Sequence, residues 1–296
     1  MQNKKLVNGR SDAIVDPDDR GLTYGDGLFE TIPVREGRLC LWNYHMDRLL
    51  DGSRRLGLPE PPLTLLKEEA RYLVRDIERA VLKIIYTRGS GENRGYLPPS
   101  RPLPTRILSL YESPKQTAGN WHDGVDVTIC KNRLSAQPAL AGIKHLNRLE
   151  QVIARSEWRD QGIAEGLMLD DNGLVTEGTV TNVFAVQSSA LVTPALDYCG
   201  VEGVMRRLII ELAPELGLRV EYRGLYPEEL TDVDELFLTN SIIGVWQVRS
   251  VANSVIPRGP IAQRLLEFIA PETLIPEQVM RTLDLQDVGG GRRTWQ

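Results

Sequence analysis

The sequence predicts a mixed α/β fold organised in two domains. Three observations lead to this expectation. Stretches with strand-like patterns are interleaved with stretches of helical spacing, the chain of 296 residues is long enough for one large or two medium domains, and the pattern breaks near residue 115. The hydrophobic content of 42% can fill a sizeable core. These features are typical of an ordinary globular protein.

The N-terminal region carries a hairpin pattern and then a helix pattern. The pair Glu36-Gly37 between apolar runs predicts a strand, a turn and a strand within residues 20–41. Asn43 can cap the helix that follows, and Gly57 can close it. The inward positions recur at helical spacing and are Met46, Leu49, Leu50, Ser53 and Leu56. Beside them runs a second stripe, in which a basic residue could contact an anion: His45, Arg48, Gly52 and Arg55.

Further elements lead up to a linker. Thr64 opens a second helix, and strands are predicted at residues 81–87, 105–111 and 125–131. Residues 113–120 include Pro114 and Gly119 and form the best linker candidate. We therefore predict one domain at residues 1–116 and a second at residues 117–286.

The second predicted domain contains two helices and a hairpin that matter for function. Apolar residues at positions 146, 149, 152 and 153 predict a helix that stops by Gly162, with Lys144 at or just before its start. The turn at residues 171–173 predicts a hairpin that places Glu177 at a strand end. A helix begins near Gly203, strands follow at 235–239 and 244–249, and a short helix lies at 260–269. We expect residues 287–296 to be a disordered tail.

Lys144 is the first candidate for chemistry. An amine at a helix N-terminus feels the positive end of the helix dipole, and inward packing of the preceding Ala-Gly-Ile would partly desolvate it. Both effects disfavour the ammonium form, and a neutral lysine is a nucleophile for carbonyls and a general base. The alternative is a solvated lysine, because lysine is almost never fully buried unless it is paired. Lys144 must therefore be judged together with other residues.

Composition excludes several classes of function. The formal charge of −5 gives no reason to expect a nucleic-acid or anionic membrane partner, since both require clustered positive charge. Three cysteines without a CxxC pair and three widely spaced histidines predict neither a disulfide framework nor a metal site. The N-terminus lacks the apolar core of a signal peptide, and no apolar run approaches the roughly 20 residues that cross a bilayer. We expect a cytoplasmic protein.

Five motifs in order along the chain resemble those of the fold-type IV pyridoxal-phosphate enzymes. The motifs span about residues 8–250 and are Arg20-Gly-Leu-Thr-Tyr-Gly-Asp-Gly-Leu-Phe-Glu-Thr31, His45-Met-Asp-Arg-Leu49, Ile143-Lys-His-Leu-Asn-Arg-Leu-Glu150, Val175-Thr-Glu-Gly178 through Asn182, and Gly203-Val-Met-Arg206. The resemblance implies pyridoxal 5'-phosphate as cofactor, a small-molecule substrate and a homodimer. It also implies a smaller N-terminal α/β domain and a larger C-terminal cofactor-binding domain with a β-barrel-like core.

Within this family the chain looks most like the aminodeoxychorismate lyases, at residues 144–152 and in the glycine-rich loop at 88–96. Branched-chain aminotransferases usually carry a tyrosine shortly after the lysine, whereas residues 145–150 contain none. D-amino acid transaminases also lack that tyrosine and resemble the chain around Glu177. The resemblance therefore implies a lyase that forms 4-aminobenzoate and pyruvate in folate biosynthesis. The alternatives are an aminotransferase of the same fold and a cofactor-binding protein without turnover.

The resemblance also implies roles for individual residues. Lys144 would bond to the cofactor aldehyde and carry a proton, and Glu177 would pair with the pyridine nitrogen. Arg48, the backbone of Val204 and Met205, and Ser241 would hold the phosphate, although the family more often has threonine at the last position. Cationic and hydroxyl side chains are needed for the two substrate carboxylates. The candidates are Thr31, Arg88, Arg94, Tyr96 and Asn147.

Overall fold

The computed structural model describes residues 4–91 and 95–283, which form two compact units. The first unit comprises residues 4–114, without 92–94, together with residues 143–147, and the second comprises residues 115–142 and 148–283. Lys144 thus lies in the first unit, although the predicted domain of residues 117–286 includes it. The predicted tail at 287–296 and the substrate candidate Arg94 lie outside the described residues.

The first unit is an antiparallel sheet covered by helices. Its elements are β1 (Lys5–Val7), α1 (Arg20–Tyr24), β2 (Gly27–Arg35), β3 (Arg38–Leu39), α2 (Trp42–Arg55), α3 (Leu63–Val74), β4 (Arg79–Thr87) and β5 (Thr105–Glu112). The strand order is β1-β5-β4-β2-β3. The predicted hairpin is confirmed, since Glu36 and Gly37 connect β2 and β3 with φ of 51° and 72°, the positive values that a tight hairpin turn requires.

The core of the first unit lies between the sheet and the two longer helices. Met46 and Leu49 of α2 and Leu66 and Leu73 of α3 are buried in one apolar cluster with strand residues such as Ile32. The predicted inward face of α2 is therefore confirmed. The predicted cap is wrong, because α2 begins at Trp42 after Leu41, which adopts a left-handed conformation, so that position 43 lies inside the first turn. The short helix α1 was not predicted from the sequence.

The second unit is built around a larger mixed sheet. Its elements are α4 (Gly119–His122), β6 (Val125–Ile129), α5 (Leu149–Arg155), β7 (Ile163–Leu169), β8 (Val175–Gly178), β9 (Asn182–Gln187), β10 (Ala190–Thr193), α6 (Val204–Leu212), β11 (Arg219–Tyr222), β12 (Glu235–Asn240), β13 (Gly244–Val251), β14 (Ser254–Val255), α7 (Ile261–Ile269) and α8 (Glu277–Thr282). The strand order is β11-β10-β9-β12-β13-β6-β7-β8, with β14 paired to β13. Phe184 and Phe237 stack in its core with ring centroids 5.2 Å apart. The predicted mixed α/β class is confirmed.

The helix predicted after Lys144 is longer than α5, and the apolar stripe of α5 is exposed. Helix α5 begins only at Leu149 and ends at Arg155. Three residues of the predicted apolar pattern are exposed, with exposed fractions of 74% for Leu149, 61% for Val152 and 53% for Ile153. Ala154 lies on the opposite side of the helix and packs into a cluster of Cys130, Leu134, Trp158 and Met168. Because Lys144 lies five residues before the helix, the helix-dipole argument for its amine is wrong.

The part of the chain that the structure describes contains neither a membrane-spanning helix nor a cluster of metal-binding side chains. Among residues 4–91 and 95–283, none of the helices combines the length and apolar character required to span a bilayer. Over the same ranges, His, Cys, Asp and Glu side chains do not gather in groups of three or more that could hold a metal ion.

Candidate active site

The backbone of β2 holds the lysine-bearing segment. The Phe29 N–H donates to the Lys144 carbonyl at 3.1 Å, and the Leu146 N–H donates to the Gly27 carbonyl at 3.0 Å. A Cβ at Gly27 would lie 2.7 Å from the Tyr86 carbonyl oxygen and 2.9 Å from the Leu146 side chain, so this close packing requires a glycine. Lys144 is therefore fixed by strand pairing rather than by a helix.

The Lys144 amine lies against an aromatic ring. Its Nζ is 4.4 Å from the centroid of the Phe29 ring, and the Nζ of Lys83 is 5.2 Å from the same centroid. Lys83 is on β4 directly opposite Thr31 of β2. Each cation–π contact is worth about 0.5–2 kcal/mol. Two amines and a hydroxyl side chain thus share one face of the sheet. Lys83 was missed from the sequence, although a lone lysine in the apolar run at residues 81–86 is a visible signal.

The opposite face of β2 carries a buried ionic network. Glu30 is 1% exposed and accepts hydrogen bonds from Arg48 through Nε at 2.9 Å and Nη2 at 2.6 Å. Nδ1 of the fully buried His45 lies 2.5 Å from the same carboxylate. Burial raises the pKa of Glu30, but the charge of Arg48 and the contact with His45 outweigh it and hold this pKa at about 2. Glu30 is therefore ionised at neutral pH.

Arg48, the predicted phosphate contact, is mostly buried on α2. It lies one turn after His45 on α2, and its side chain is 14% exposed. Sequence reasoning gave no role to Glu30, although it belongs to the first motif. The available signal was a carboxylate in an apolar strand, which requires a cationic partner when it is buried.

In the second unit, Glu177 organises the chain before α6. Glu177 is buried in β8, and its Oε2 accepts a hydrogen bond from the Val201 N–H at 2.8 Å. The Nδ2 of Asn182 donates to the Val201 carbonyl at 2.8 Å. Gly142 pairs with the same stretch through hydrogen bonds to residues 200 and 202. The loop that leads into α6 is therefore held from three sides.

The N-terminus of α6 has the features of an anion site. Gly203 is the N-cap, and no side chain among the described residues caps this terminus. The amides of Val204 and Met205 lie in its first turn, where the helix dipole favours negative charge. A Cβ at Gly203 would lie 2.0 Å from Oδ1 of Asn182, so the close approach requires glycine.

Ser241, the remaining phosphate candidate, is buried in the turn after β12. Oδ1 of Asn240 accepts hydrogen bonds from the N–H groups of Ile242 and Ile243, both at 2.9 Å. Nδ2 of Asn240 donates to the Val180 carbonyl at 3.1 Å. Asn240 therefore fixes the turn that carries the serine.

Sequence reasoning also missed Arg148, the N-cap of α5. Burial lowers the pKa of its guanidinium, while attraction to Glu177 and Glu150 acts in the opposite direction. The charge of Arg148 is thus coupled to that of Glu177.

The substrate candidates differ in their surroundings. The buried Arg88 donates to Asp26 at 2.7 Å and to the carbonyls of residues 56 and 57 at 2.8 and 2.6 Å, which supports a structural role. Tyr96 is exposed and packs edge-on against Tyr24, with ring centroids 5.5 Å apart. Asn147 donates to the Gly25 carbonyl at 3.2 Å. Thr31 lies across from Lys83.

Comparison with known proteins identifies the family of this chain. The sequence matches the family described as amino-transferase class IV over residues 27–251. The chain belongs to this family. It is 34% identical over 263 residues to an aminodeoxychorismate lyase of Vibrio harveyi, covering 88% of this chain and 97% of that protein.

Solved structures of similar proteins agree with the fold. A 4-amino-4-deoxychorismate lyase of Pseudomonas aeruginosa superposes with a TM-score of 0.86 at 44% identity, covering 90% of this chain and 98% of that one. A hypothetical aminotransferase of Mycobacterium tuberculosis in a PLP-bound form gives a TM-score of 0.74 at 26% identity, covering 88% and 93% of the two chains. The fold-type IV class implied by the motifs is confirmed.

Proposed function

We propose that this chain is a pyridoxal-phosphate-dependent lyase that converts 4-amino-4-deoxychorismate to 4-aminobenzoate and pyruvate, a reaction of folate biosynthesis. The observation that carries the proposal is the pair of amines over the Phe29 ring. Lys144 occupies the motif position of the cofactor lysine, and Lys83 supplies a second cation for a substrate with two carboxylates. Similarity to lyases of two bacteria supports this assignment.

The residues present fit the chemical groups of pyridoxal phosphate. The amine of Lys144 suits its aldehyde, and the buried carboxylate of Glu177 suits its pyridine nitrogen. The amides of Val204 and Met205 suit its phosphate, because they lie at the start of α6, where no side chain among the described residues caps the helix and the helix dipole favours negative charge. Arg48 and Ser241 complete the proposed set of phosphate contacts.

When bound, the cofactor supplies an electron sink for charge that develops beside the substrate amine. We propose that Glu177 keeps the pyridine nitrogen protonated. Lys144 takes the proton from C4 of the substrate as a general base and delivers it to the departing enolpyruvyl group. Lys83 and Thr31, which face each other across β2 and β4, hold a carboxylate. Arg94, Tyr96 and Asn147 remain proposed substrate contacts.

An aminotransferase of the same fold is the second candidate, because class IV aminotransferases are also relatives of this chain. A non-catalytic cofactor-binding protein is the third. Product analysis separates them: the lyase releases pyruvate from 4-amino-4-deoxychorismate, whereas an aminotransferase converts D-alanine or a branched-chain amino acid to its keto acid. A carrier protein shows neither reaction.

Replacement of the proposed catalytic lysine tests the assignment directly. We expect Lys144→Ala to abolish both the imine absorbance of the bound cofactor and pyruvate release. Lys67→Ala, on α3, serves as a control for loss of one lysine. A Lys144→Ala variant that kept both signals would contradict the proposal.

We also propose a cytoplasmic homodimer. Leu149, Val152 and Ile153 form an exposed apolar face on α5, which a second copy of the chain would cover. Cys40, Cys130 and Cys199 carry free thiols, as is usual in a reducing compartment. Sedimentation equilibrium of the wild type and of Ile153→Glu tests the dimer, which the substitution should weaken.

A further inference from the structure

The ionic network on β2 and α2 consists of Glu30, His45 and Arg48. Its three side chains differ in exposure. Glu30 and His45 are 1% and 0% exposed, whereas the Arg48 side chain keeps partial exposure. Glu30 lies within β2 and pairs in register with Ile84 of β4, while the two other residues lie one turn apart on α2. Only the arginine can therefore reach a bound molecule.

The carboxylate of Glu30 fixes the plane of the guanidinium. Nε and Nη2 of Arg48 bind its two oxygens at 2.9 and 2.6 Å. Such a paired arrangement is directional, because two parallel charge-assisted hydrogen bonds leave the planar guanidinium little freedom to rotate.

His45 fixes the carboxylate in turn. Burial is the main effect on the pKa of His45 and lowers it below its ordinary value, so the ring is neutral at pH 7. Since Glu30 is ionised, the ring hydrogen of His45 is on Nδ1, and this N–H donates a hydrogen bond of 2.5 Å to Oε2 of Glu30. Nε2 of His45 has no hydrogen-bond partner among the described residues. The ring is thus held in one tautomer.

The charges of the network limit its electrostatic attraction for an anion. One carboxylate and one guanidinium cancel, and the imidazole is neutral, so these three groups offer a phosphate no net positive charge. Their contribution must come from the fixed direction of the arginine N–H groups. We propose that Glu30 and His45 are positioning residues that hold Arg48 in the orientation in which it binds the cofactor phosphate. This inference rests on the proposed function of Arg48.

The experiment compares two ligands that differ only in the phosphate. The dissociation constants of pyridoxal 5'-phosphate and of pyridoxal are measured by absorbance titration of the apo-protein for the wild type and for Glu30→Gln. We expect Glu30→Gln to raise the constant for the phosphorylated ligand at least tenfold and to change that for pyridoxal less than twofold. An unchanged or lower dissociation constant for the phosphorylated ligand overturns the proposal. If Glu30 only cancelled the charge of Arg48, its loss would leave Arg48 more positive and would tighten phosphate binding.

His45 variants provide a second test if Glu30→Gln does not fold. The side-chain amide of Asn can place a donor where Nδ1 stands, so His45→Asn should bind the phosphorylated ligand within threefold of the wild type. His45→Leu lacks the donor and should bind it at least fivefold more weakly. Equal constants for the two variants would contradict a role of the Nδ1 hydrogen bond.

A double-mutant cycle separates positioning from a general effect on the fold. If Glu30 acts through Arg48, Glu30→Gln should change the dissociation constant less than twofold in an Arg48→Met background. The same tenfold loss in both backgrounds would overturn the proposal. Failure of the wild type to form any imine with pyridoxal 5'-phosphate would instead refute the proposed function. This outcome is visible in the wild-type titration alone and does not depend on the variants.

Discussion

The buried carboxylate of Glu30 should make the stability of the protein sensitive to acid. Its pKa is about 2 in the folded protein and 4.5 in the unfolded chain, taken as the ordinary value. Because the folded-state pKa is the lower one, ionised Glu30 stabilises the fold above pH 4.5, and this stabilisation is lost as the pH falls towards 2. The difference corresponds to at most about 3 kcal/mol at 25 °C, since attraction to a protonated His45 contributes part of it, and about 1 kcal/mol of it remains at pH 3.

The test compares the wild type with Glu30→Gln by urea unfolding of the apo-protein at about pH 6 and pH 3. Glutamine cannot ionise, so the stability advantage of the wild type should shrink by about 2 kcal/mol between these two pH values. Glu36→Gln, at an exposed position in the β2–β3 turn, gives the baseline for removal of one carboxyl group. An advantage that stayed constant over this interval would refute the assignment of a strongly lowered pKa to Glu30.

Three further substitutions test other parts of the structure. Gly203→Ala should raise the dissociation constant of pyridoxal 5'-phosphate at least tenfold in absorbance titrations, because the added Cβ would lie 2.0 Å from Oδ1 of Asn182 and shift the start of α6. Asp26→Asn should lower the free energy of unfolding in urea by about 3–5 kcal/mol, because it removes the carboxylate that two buried arginines share at 2.9 and 2.7 Å. Lys83→Met should raise KM for 4-amino-4-deoxychorismate about tenfold or more in steady-state assays of pyruvate release, while the cofactor absorbance stays at the wild-type value.

Local signals were sufficient for the elements around Glu177 and Gly203. A turn of Asp-Asn-Gly between apolar stretches defines the β7–β8 hairpin, and apolar residues at helical spacing after a glycine define α6. Both elements are specified by residues close together in the sequence. They therefore agree with the structure without knowledge of distant contacts.

Long-range pairing explains why the surroundings of Lys144 were not predicted correctly. The lysine is held by hydrogen bonds to Gly27 and Phe29, which are far away in the sequence, and periodicity cannot reveal such a partner. Periodicity correctly indicates an apolar stripe on α5. It cannot tell whether that stripe faces the core of the same unit, and Leu149 shows that it does not.

The side chains of β2 alternate between two faces, and one residue on each face contacts a proposed functional residue of the first unit. Phe29 contacts the amine of Lys144, and its neighbour Glu30 binds the guanidinium of Arg48 on the other side of the strand. Successive residues of a strand point to opposite faces of the sheet. A shift of one position in the pairing of β2 with β4 would therefore turn Phe29 to the face that Glu30 now occupies, and Glu30 to the face of Phe29. One strand register therefore determines both the place of the proposed catalytic amine and the orientation of the proposed phosphate-binding arginine.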